Sequence, residues 1–571
     1  MLFTSYAFIG FLCAGLILYR FAPVKVRPYV LLALSYYFYA HAGLWCVILI
    51  ISTSVVAYVV TVRMDNMTRD RKDYINANKE FLSRDEIKDF KAKDKKRRKL
   101  VLVCGLILTL GLLAVVKYTD FTIANINSLL DLVGSDSKLG FLNIIMPMGI
   151  SFYIFGTVGY MIDVYREAVQ PTHNPFHTAL FISFFPQLVQ GPISRYGDIK
   201  DDLLSPKPLK SDSLKLGAMR VLWGFAKKLI IADRALVAVK AITGNPGTYS
   251  GAYVVAGMAL YALELYADFT GGIDITIGAA QMFGIGVREN FVRPYFSKNV
   301  AEYWRRWHIT MGTWFADYVF YPLSSSRFMR KVSGTLKKSK LPRRAAQRIP
   351  VYITSAVVWF ATGLWHGASW NFILWGMLNF AVIMISQELE PLYAKFHSRF
   401  DRRITCRRGE DKKLRMRFEK LSLQERMSRT PYKAFAATRT IIILSCLRML
   451  DCYGNVGITF KAFGSIFTSI FSGGTPSGDA VSGITTGFSA FFDGSMMTLG
   501  LTGYDYLILL IGMLTLFAVS MVQRKGSVRE RLFALPFADR AALMIALFTA
   551  VILFGAYGPG YDVGQFIYNR F

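Results

Sequence analysis

Leu44-Trp-Cys-Val-Ile-Leu-Ile-Ile-Ser-Thr-Ser-Val-Val-Ala-Tyr-Val-Val-Thr-Val62 and Leu100-Val-Leu-Val-Cys-Gly-Leu-Ile-Leu-Thr-Leu-Gly-Leu-Leu-Ala-Val-Val116 decide how this chain is read. Each is an apolar run of the length a helix needs to cross a bilayer core. Between them Asp65–Lys99 carries 13 basic and 8 acidic residues. A charged segment bounded by two such runs reads as a loop between membrane spans, with its excess of Lys and Arg on the cytoplasmic side. Its mixed signs suit a solvated helical arm.

The rest of the chain repeats this contrast. Of 571 residues, 53% are hydrophobic and 18% charged, with mean hydropathy +0.34. Soluble domains average about 25% charged residues. The deficit is uneven, because charges gather in clusters between long apolar stretches. A disordered chain, a collagen-like chain and a disulfide scaffold are therefore excluded, and the long apolar runs weigh against a β-barrel of short alternating strands. The net charge of +29 would suggest nucleic acid in a soluble protein, but its location argues otherwise. Asp65–Lys99 (net +5), Arg327–Arg348 (net +9) and Lys395–Lys433 (net +9) together hold +23 of it, which reads as three cytoplasmic loops. The same loops can meet anionic lipid headgroups, an anionic donor or an anionic partner. Cys13, Cys46, Cys104, Cys406, Cys446 and Cys452 show no CxxC spacing and read as reduced or buried small hydrophobes. The first apolar run lacks a basic leader and a small-residue cleavage site, so no cleavable signal peptide is expected.

Building outward from the basic loops predicts all-α architecture with about a dozen membrane segments. The run before Arg20, then Tyr29–Ala40, Leu44–Val62, Leu100–Val116 and Phe141–Ile162 alternate across the membrane. Tyr118–Gly140 is expected as an outer loop. From 163 to 325 the apolar runs are short and broken by Pro, Gly and charge, which predicts re-entrant segments lining a cavity. Pro350–Trp365 and Asn371–Gln387 form an expected hairpin. About 16 residues of helix rise only about 24 Å, which places its turn deep in the membrane or near its outer half. Ala434–Leu450, Tyr504–Met521 and Ala541–Tyr557 follow, with Ile458–Phe471 lying on the membrane surface and Arg524–Arg540 cytoplasmic. Both termini are expected outside. The expected organisation is a membrane core over 1–390 with a cytoplasmic arm (64–99) and a basic loop (327–348), a basic cytoplasmic loop (391–433), and C-terminal membrane segments (434–571) with an extracytoplasmic segment (453–503). No internal repeat is visible, which weighs against inverted-repeat transporters.

Six histidines are present. His41 sits at a span turn and His397 in a basic loop. His173 and His177 have helical metal-ligand spacing, but Pro171 and Pro175 break the helix there. His308 and His366 differ. The first follows Ala301-Glu-Tyr-Trp-Arg-Arg-Trp and precedes Trp314 and Asp317; the second lies in Thr362-Gly-Leu-Trp-His-Gly-Ala-Ser-Trp-Asn371. Ionisable groups at membrane depth are rare and usually functional, and a neutral imidazole can take a proton from an alcohol. The alternative is a hydrogen-bonded core histidine. Upstream, Glu264, Asp268 and Asp274 surround Asp268-Phe-Thr-Gly-Gly, Asp163 and Arg166 end an apolar run, and Pro186-Gln-Leu-Val-Gln-Gly-Pro192 is a polar insert. Ion pairs and helix-end contacts are the competing reading for these. No P-loop, Rossmann fingerprint, GxSxG elbow or HExxH appears.

Pro294-Tyr-Phe-Ser-Lys-Asn-Val-Ala-Glu-Tyr-Trp-Arg-Arg-Trp-His308 and Thr362-Gly-Leu-Trp-His-Gly-Ala-Ser-Trp370 resemble the membrane-bound O-acyltransferase family, in its bacterial branch of alginate O-acetylation and D-alanyl–teichoic-acid transfer. Met146-Pro-Met-Gly-Ile-Ser-Phe-Tyr153, Phe184-Phe-Pro-Gln-Leu-Val-Gln-Gly-Pro192, Tyr266-Ala-Asp-Phe-Thr-Gly-Gly-Ile-Asp274 and Phe554-Gly-Ala-Tyr-Gly-Pro-Gly560 look similar to that branch. The resemblance covers most of residues 1–390 and the last ~70 residues. It implies a funnel-shaped helical bundle around a central tunnel, in a bacterial cytoplasmic membrane. It also implies His366 as principal catalytic histidine and His308 as the second. Three features depart from the branch: Ala316 where Arg is common, and the elaborated 65–99 and 327–348 segments. The segment 453–503 is more similar to the longer alginate-type members.

The leading expectation is an O-acyltransferase that moves acetyl from a cytoplasmic thioester donor, such as acetyl-CoA, toward hydroxyls of a cell-envelope polysaccharide. It acts directly or through an extracytoplasmic acyltransferase partner, holds no bound cofactor or metal, and meets membrane lipid but no nucleic acid. His366 is the expected general base, with a covalent acyl-histidine as the alternative route. Trp304, Arg305, Asn371 and His308 are expected to orient the carbonyl or stabilise its oxyanion. Asp317, Trp365, Gln187 and Asp268 complete the expected substrate-binding set. The alternatives are D-alanyl transfer from a carrier protein to teichoic acid, and a transporter whose polar cavity uses the buried carboxylates.

Overall fold

The structure is a computed structural model that describes residues 3–206, 208–393, 430–470 and 487–557. His397, Cys406, most of the basic loop 391–433, the middle of 453–503 and the end of the 554–560 motif lie outside the described residues. The described residues form helices and connecting turns, with no strand.

Among the described residues six helices are long and apolar enough to cross a membrane: Leu44–Ala77, Arg84–Leu132, Ala252–Met282, Trp370–Glu388, Gly503–Lys525 and Phe537–Phe554. Tyr6–Phe21 and Ile150–Tyr165 are shorter apolar helices. Among the described residues the expected dozen is not confirmed by length and hydropathy: 163–325 contributes one long apolar helix, while Tyr6–Phe21, Arg27–Ala40 and Ile150–Tyr165 are shorter than a full span. The outward faces are apolar, as lipid requires: Leu507, Leu510, Ile511, Leu514 and Phe517 are all exposed on one spanning helix.

Three boundaries differ from expectation for local reasons. The helix after the charged arm does not stop at Val116 but runs to Leu132. Its polar residues bond to their own helix: Thr119, Thr122 and Ser128 donate to the carbonyls of Val115, Tyr118 and Ala124. Nor is Phe141–Ile162 one span. Asp120 accepts from the backbone N–H of Leu142 and Asn143 at 2.8 and 3.0 Å, and the helix begins only at Ile150. Gly149 precedes it at φ +75°, and a Cβ there would stand 1.8 Å from the Leu188 carbonyl oxygen. Finally, the first arm of the C-terminal hairpin starts at Arg343, not Pro350. Pro350 is carried inside a 24-residue helix that rises about 36 Å. The short-helix argument for a deeply placed turn therefore falls away.

The charged arm is a helical hairpin. Ser83 caps the second helix, accepting from the N–H of Glu86, while the Glu86 carboxylate accepts from Ser83 N–H, a reciprocal capping box.

Contacts divide the chain into two units. One comprises Met1–Ala241, Leu263–Asn290 and Met496–Phe571; the other comprises Ile242–Ala262 and Phe291–Ser495. In the first, Ser211–Phe225 packs closely on the helix containing Leu263–Met282. A Cβ on Gly217 would lie 2.6 Å from the Gly278 oxygen, and one on Gly224 2.6 Å from the Gly271 oxygen. Glycines seven apart on both helices make one smooth seam, the small-residue packing of membrane helices.

The second unit is built on the hairpin of Arg343–His366 and Trp370–Glu388. A Cβ on Gly376 would stand 2.4 Å from the Trp359 oxygen, and one on Gly363 2.5 Å from the Phe372 oxygen, so only glycine permits this approach. Thr430–Tyr453 then packs on the second arm through Trp375, Leu447 and Leu450.

Candidate active site

The second unit holds both histidines singled out above. His308 follows the short helix Val300–Trp304, whose start is capped by Asn299 accepting from Glu302 N–H at 2.8 Å. Tyr303 and Trp307 stack at 5.4 Å, Tyr295 lies behind Tyr303 at 6.3 Å, and Phe291 meets Trp307 edge-on at 4.9 Å. This aromatic stack fixes a tight turn. His308 leaves it in the left-handed region, φ 49° and ψ 51°, and starts the helix Ile309–Phe315. A non-glycine residue pays strain energy there, and such residues cluster at functional sites.

His366 ends its helix and is buried, as is His308. Its ring meets Trp365 edge-on at 5.1 Å and Trp375 at 4.7 Å, and lies parallel to Phe372 at 6.4 Å. Trp365 also faces His308 at 5.9 Å. One indole thus borders both imidazoles, although the two come from distant parts of the sequence.

The other predicted residues separate into three groups. Trp304 and Asn371 join the histidines, but their polar groups are engaged. Trp304 Nε1 donates to Asn379 Oδ1 at 3.1 Å. Asn371 Nδ2 donates to the Leu450 carbonyl at 3.0 Å, and its Oδ1 accepts from Ser369 Oγ at 2.5 Å. Asn371 therefore braces two helices. Arg305 is exposed, and Asp317 lies half-buried in a turn of π-helix beyond His308.

Gln187 and Asp268 belong to the first unit. Gln187 donates to Ser194 Oγ at 2.6 Å beside a cavity lined by Phe152, Tyr153, Phe181 and Pro192. Asp268 pairs with Lys228, which also meets Asp233 at 2.7 Å. Next to them Asp274 is bridged to Lys227 at 2.5 Å and Arg220 at 2.8 Å. Asp268 and Asp274, two of the carboxylates that suggested transport, are thus members of paired networks. They hang from a π-helical turn, Ala226–Ala232, that aims consecutive lysines at the same neighbouring helix.

Among the described residues no three His, Cys, Asp or Glu side chains come together in a way that could hold a metal. His173 instead lies 2.9 Å from Asp65. On the charged arm, Glu167 bonds Arg71 at 2.9 Å and Arg98 at 2.9 Å. Its partial burial works to raise its pKa, but the hydrogen bond and charge of Arg71, with Arg98 and Lys72, outweigh that and hold the carboxyl below its ordinary range.

Arg448 and Asp451 were passed over in the sequence, where they fall at the end of the apolar run Ala434–Leu450. The available signal was Arg448 inside the predicted span with an oppositely charged residue, Asp451, three positions on and just past its end. The structure buries both within the aromatic cluster.

Comparison with known proteins bears on this site. A family model described as MBOAT, membrane-bound O-acyltransferase family, matches residues 161–336. That stretch includes Gln187, Asp268 and His308, and His366 lies beyond it. A protein named probable alginate O-acetylase AlgI from Azotobacter vinelandii is 30% identical over 391 residues, covering 68% of this chain and 69% of that one. A peptidoglycan O-acetyltransferase from Helicobacter pylori is 30% identical over 328 residues, covering 52% and 58%. A teichoic acid D-alanyltransferase from Bacillus subtilis is 32% identical over 249 residues, covering 42% and 59%.

Proposed function

Since this chain belongs to the membrane-bound O-acyltransferase family, we propose that it moves an acetyl group from a cytoplasmic thioester to hydroxyls of a cell-envelope polysaccharide. An extracytoplasmic acyltransferase can complete the route to the polymer. The observation that carries this reading is the pair of buried histidines sharing Trp365.

The chemistry follows from what these residues can do. Thioester exchange with an alcohol needs a base for the hydroxyl proton and a donor for the carbonyl oxygen. His366, an imidazole set among the rings of Trp365, Phe372 and Trp375, takes the proton as the hydroxyl oxygen bonds to the acyl carbon, and returns it to the leaving thiolate. Such proton transfer is worth about 10²–10⁴ in rate. His308, fixed by its strained turn, orients the reacting groups. The rings exclude water, which would otherwise hydrolyse the thioester.

The cytoplasmic thioester fits the basic segments. Arg327–Lys338 is a helix with Arg and Lys, no acidic residue, and an apolar edge that includes the exposed Phe328. Such a surface raises the local concentration of an anionic donor. Acetyl is preferred over D-alanyl because the relatives that share more of the chain's length are named as O-acetyl-transferring proteins.

The test is the ester content of envelope polymers, measured by mass spectrometry after mild base release. Cells with wild-type protein should carry released acetate, and His366→Ala at equal membrane level should lose it. Released D-alanine would replace the donor assignment. Unchanged esters in His366→Ala would remove His366 from the reaction.

A further inference from the structure

The aromatic cluster around His366 also encloses a cation. Arg448 projects from Thr430–Tyr453 and is 6% exposed. Its guanidinium carbon stands 4.8 Å from the ring centre of Trp375, 5.4 Å from Trp304 and 5.5 Å from Trp307. Nη1 donates to Asp451 Oδ2 at 2.8 Å. Nε and Nη2 are buried and make no hydrogen bond of good geometry among the described residues, the Tyr303 hydroxyl being a second polar neighbour of the guanidinium, and the indole Nε1 of Trp375 is likewise buried and unmet.

Those are unusual donors to leave unmet. Ring faces stabilise the charge of a guanidinium but accept its N–H groups poorly. A buried cation bound to one carboxylate oxygen still has donors to satisfy, and burying them unmet is costly. The cost is recovered if a negatively charged oxygen arrives. Trp375 also touches the His366 ring at 4.7 Å, so one indole lies against both the guanidinium and the expected base. Arg448 lies close enough to His308 for its charge to act on that ring as well. By contrast, the amide of Asn371 and the indole N–H of Trp304 are engaged in braces.

We propose that Arg448, with the Trp375 N–H beside it, is the group that binds the oxyanion formed on the acyl carbonyl during transfer. As the acceptor oxygen bonds to the carbonyl carbon, its proton passes to His366 and the carbonyl electron pair moves to oxygen, where Arg448 holds it. Collapse re-forms the carbonyl, breaks the carbon–sulfur bond and sends the proton to sulfur. Asp451 is a positioning residue, holding the guanidinium plane through Nη1.

This inference rests on the acyl-transfer reading above, so the experiment carries a control for that reading. Full-length protein in lipid nanodiscs is assayed by thiol release, with acetyl-CoA and D-alanyl-pantetheine run in parallel as donors and a soluble oligosaccharide supplying the acceptor hydroxyl. The donor kept is the one whose release His366→Ala abolishes. Arg448→Lys keeps the charge but loses the fork of N–H groups. It should lower kcat by about 10²–10³, with KM for the donor within threefold and the melting temperature nearly unchanged. Trp375→Phe keeps the ring and deletes one N–H, and should lower kcat alone by about tenfold. Guanidinium added to Arg448→Ala should restore part of the rate. A donor KM effect without a kcat effect, or wild-type turnover in Arg448→Lys beside a dead His366→Ala, overturns the oxyanion role. If Arg448→Lys fails to reach the membrane, Trp375→Phe decides: normal turnover there overturns it too. Thiol release that survives His366→Ala with both donors instead overturns the reading on which it rests.

Discussion

At residue scale, His308 is held where a side chain is not at ease. Its φ of 49° is one that Asn and Gly adopt more readily than most residues. This separates its chemistry from its backbone role. His308→Asn should accumulate to wild-type levels, because the substitute suits the conformation. It should nonetheless lower acyl transfer by about 10²-fold or more if the imidazole takes part in proton transfer. Equal turnover in His308→Asn, measured at matched protein level, would reduce His308 to a structural residue. The same scale explains why Trp304 and Asn371 look like catalytic groups in sequence. Both are polar and close to a histidine motif, yet each has its polar atoms committed to a neighbouring helix.

At element scale, the hairpin of Arg343–His366 and Trp370–Glu388 places His366, Trp365 and Trp375 together. Its close approach rests on absent side chains, since a Cβ on Gly376 would meet the Trp359 oxygen at 2.4 Å. Gly376→Val should therefore cost about 1–3 kcal/mol by overpacking, and should disturb activity in proportion. A lowered melting temperature in detergent, with reduced turnover, is the expected result. Gly111→Ala is the control: no atom lies within 4 Å of a Cβ there, so stability should hold or rise slightly. A Gly376→Val protein as stable as wild type would mean the hairpin is looser than drawn. The basic helix Arg327–Lys338 belongs to this scale too. Its Ser326 cap and two terminal lysines suit the helix dipole, so it can stand as a helix at a polar surface.

At the scale of the whole molecule, two units are interleaved along the sequence, and each carries its own buried charge. The first unit ties its charged arm to the end of Ile150–Tyr165 through Glu167, Arg71 and Arg98. The folded-state pKa of Glu167 lies below its ordinary 4.5, so its pairing adds stability above that pH and loses it as pH falls through the lowered value. Melting of wild type and Glu167→Gln in detergent should therefore differ near pH 7 and converge as the pH falls below about 4.5. A difference that stays constant down to acid pH would remove Glu167 from the arm's anchorage. The second unit gathers Arg448, Asp451 and the two histidines among tryptophans, where opening the unit would expose charge and aromatic surface together.

Much of this was legible in the residue order alone. Apolar runs and the placement of basic residues marked the helices Leu44–Ala77, Gly503–Val522 and Phe537–Phe554, because a bilayer demands local, contiguous hydrophobicity. The motifs around His308 and His366 pointed to the family and to acyl transfer before any contact was known. Helix ends were less legible: the continuation to Leu132 depends on polar side chains bonding to their own helix, and the start at Arg343 depends on a proline carried inside. Tertiary structure alone decided which polar residues remain near the histidines with donors to offer. Asp268 went to Lys228, Asn371 to the Leu450 carbonyl and Arg305 to the surface, while Arg448 came in from a helix read as plain span. Hydrophobicity is additive along a chain and can be read from it. Hydrogen-bond satisfaction is a property of partners, and partners distant in sequence are known only once the chain has folded.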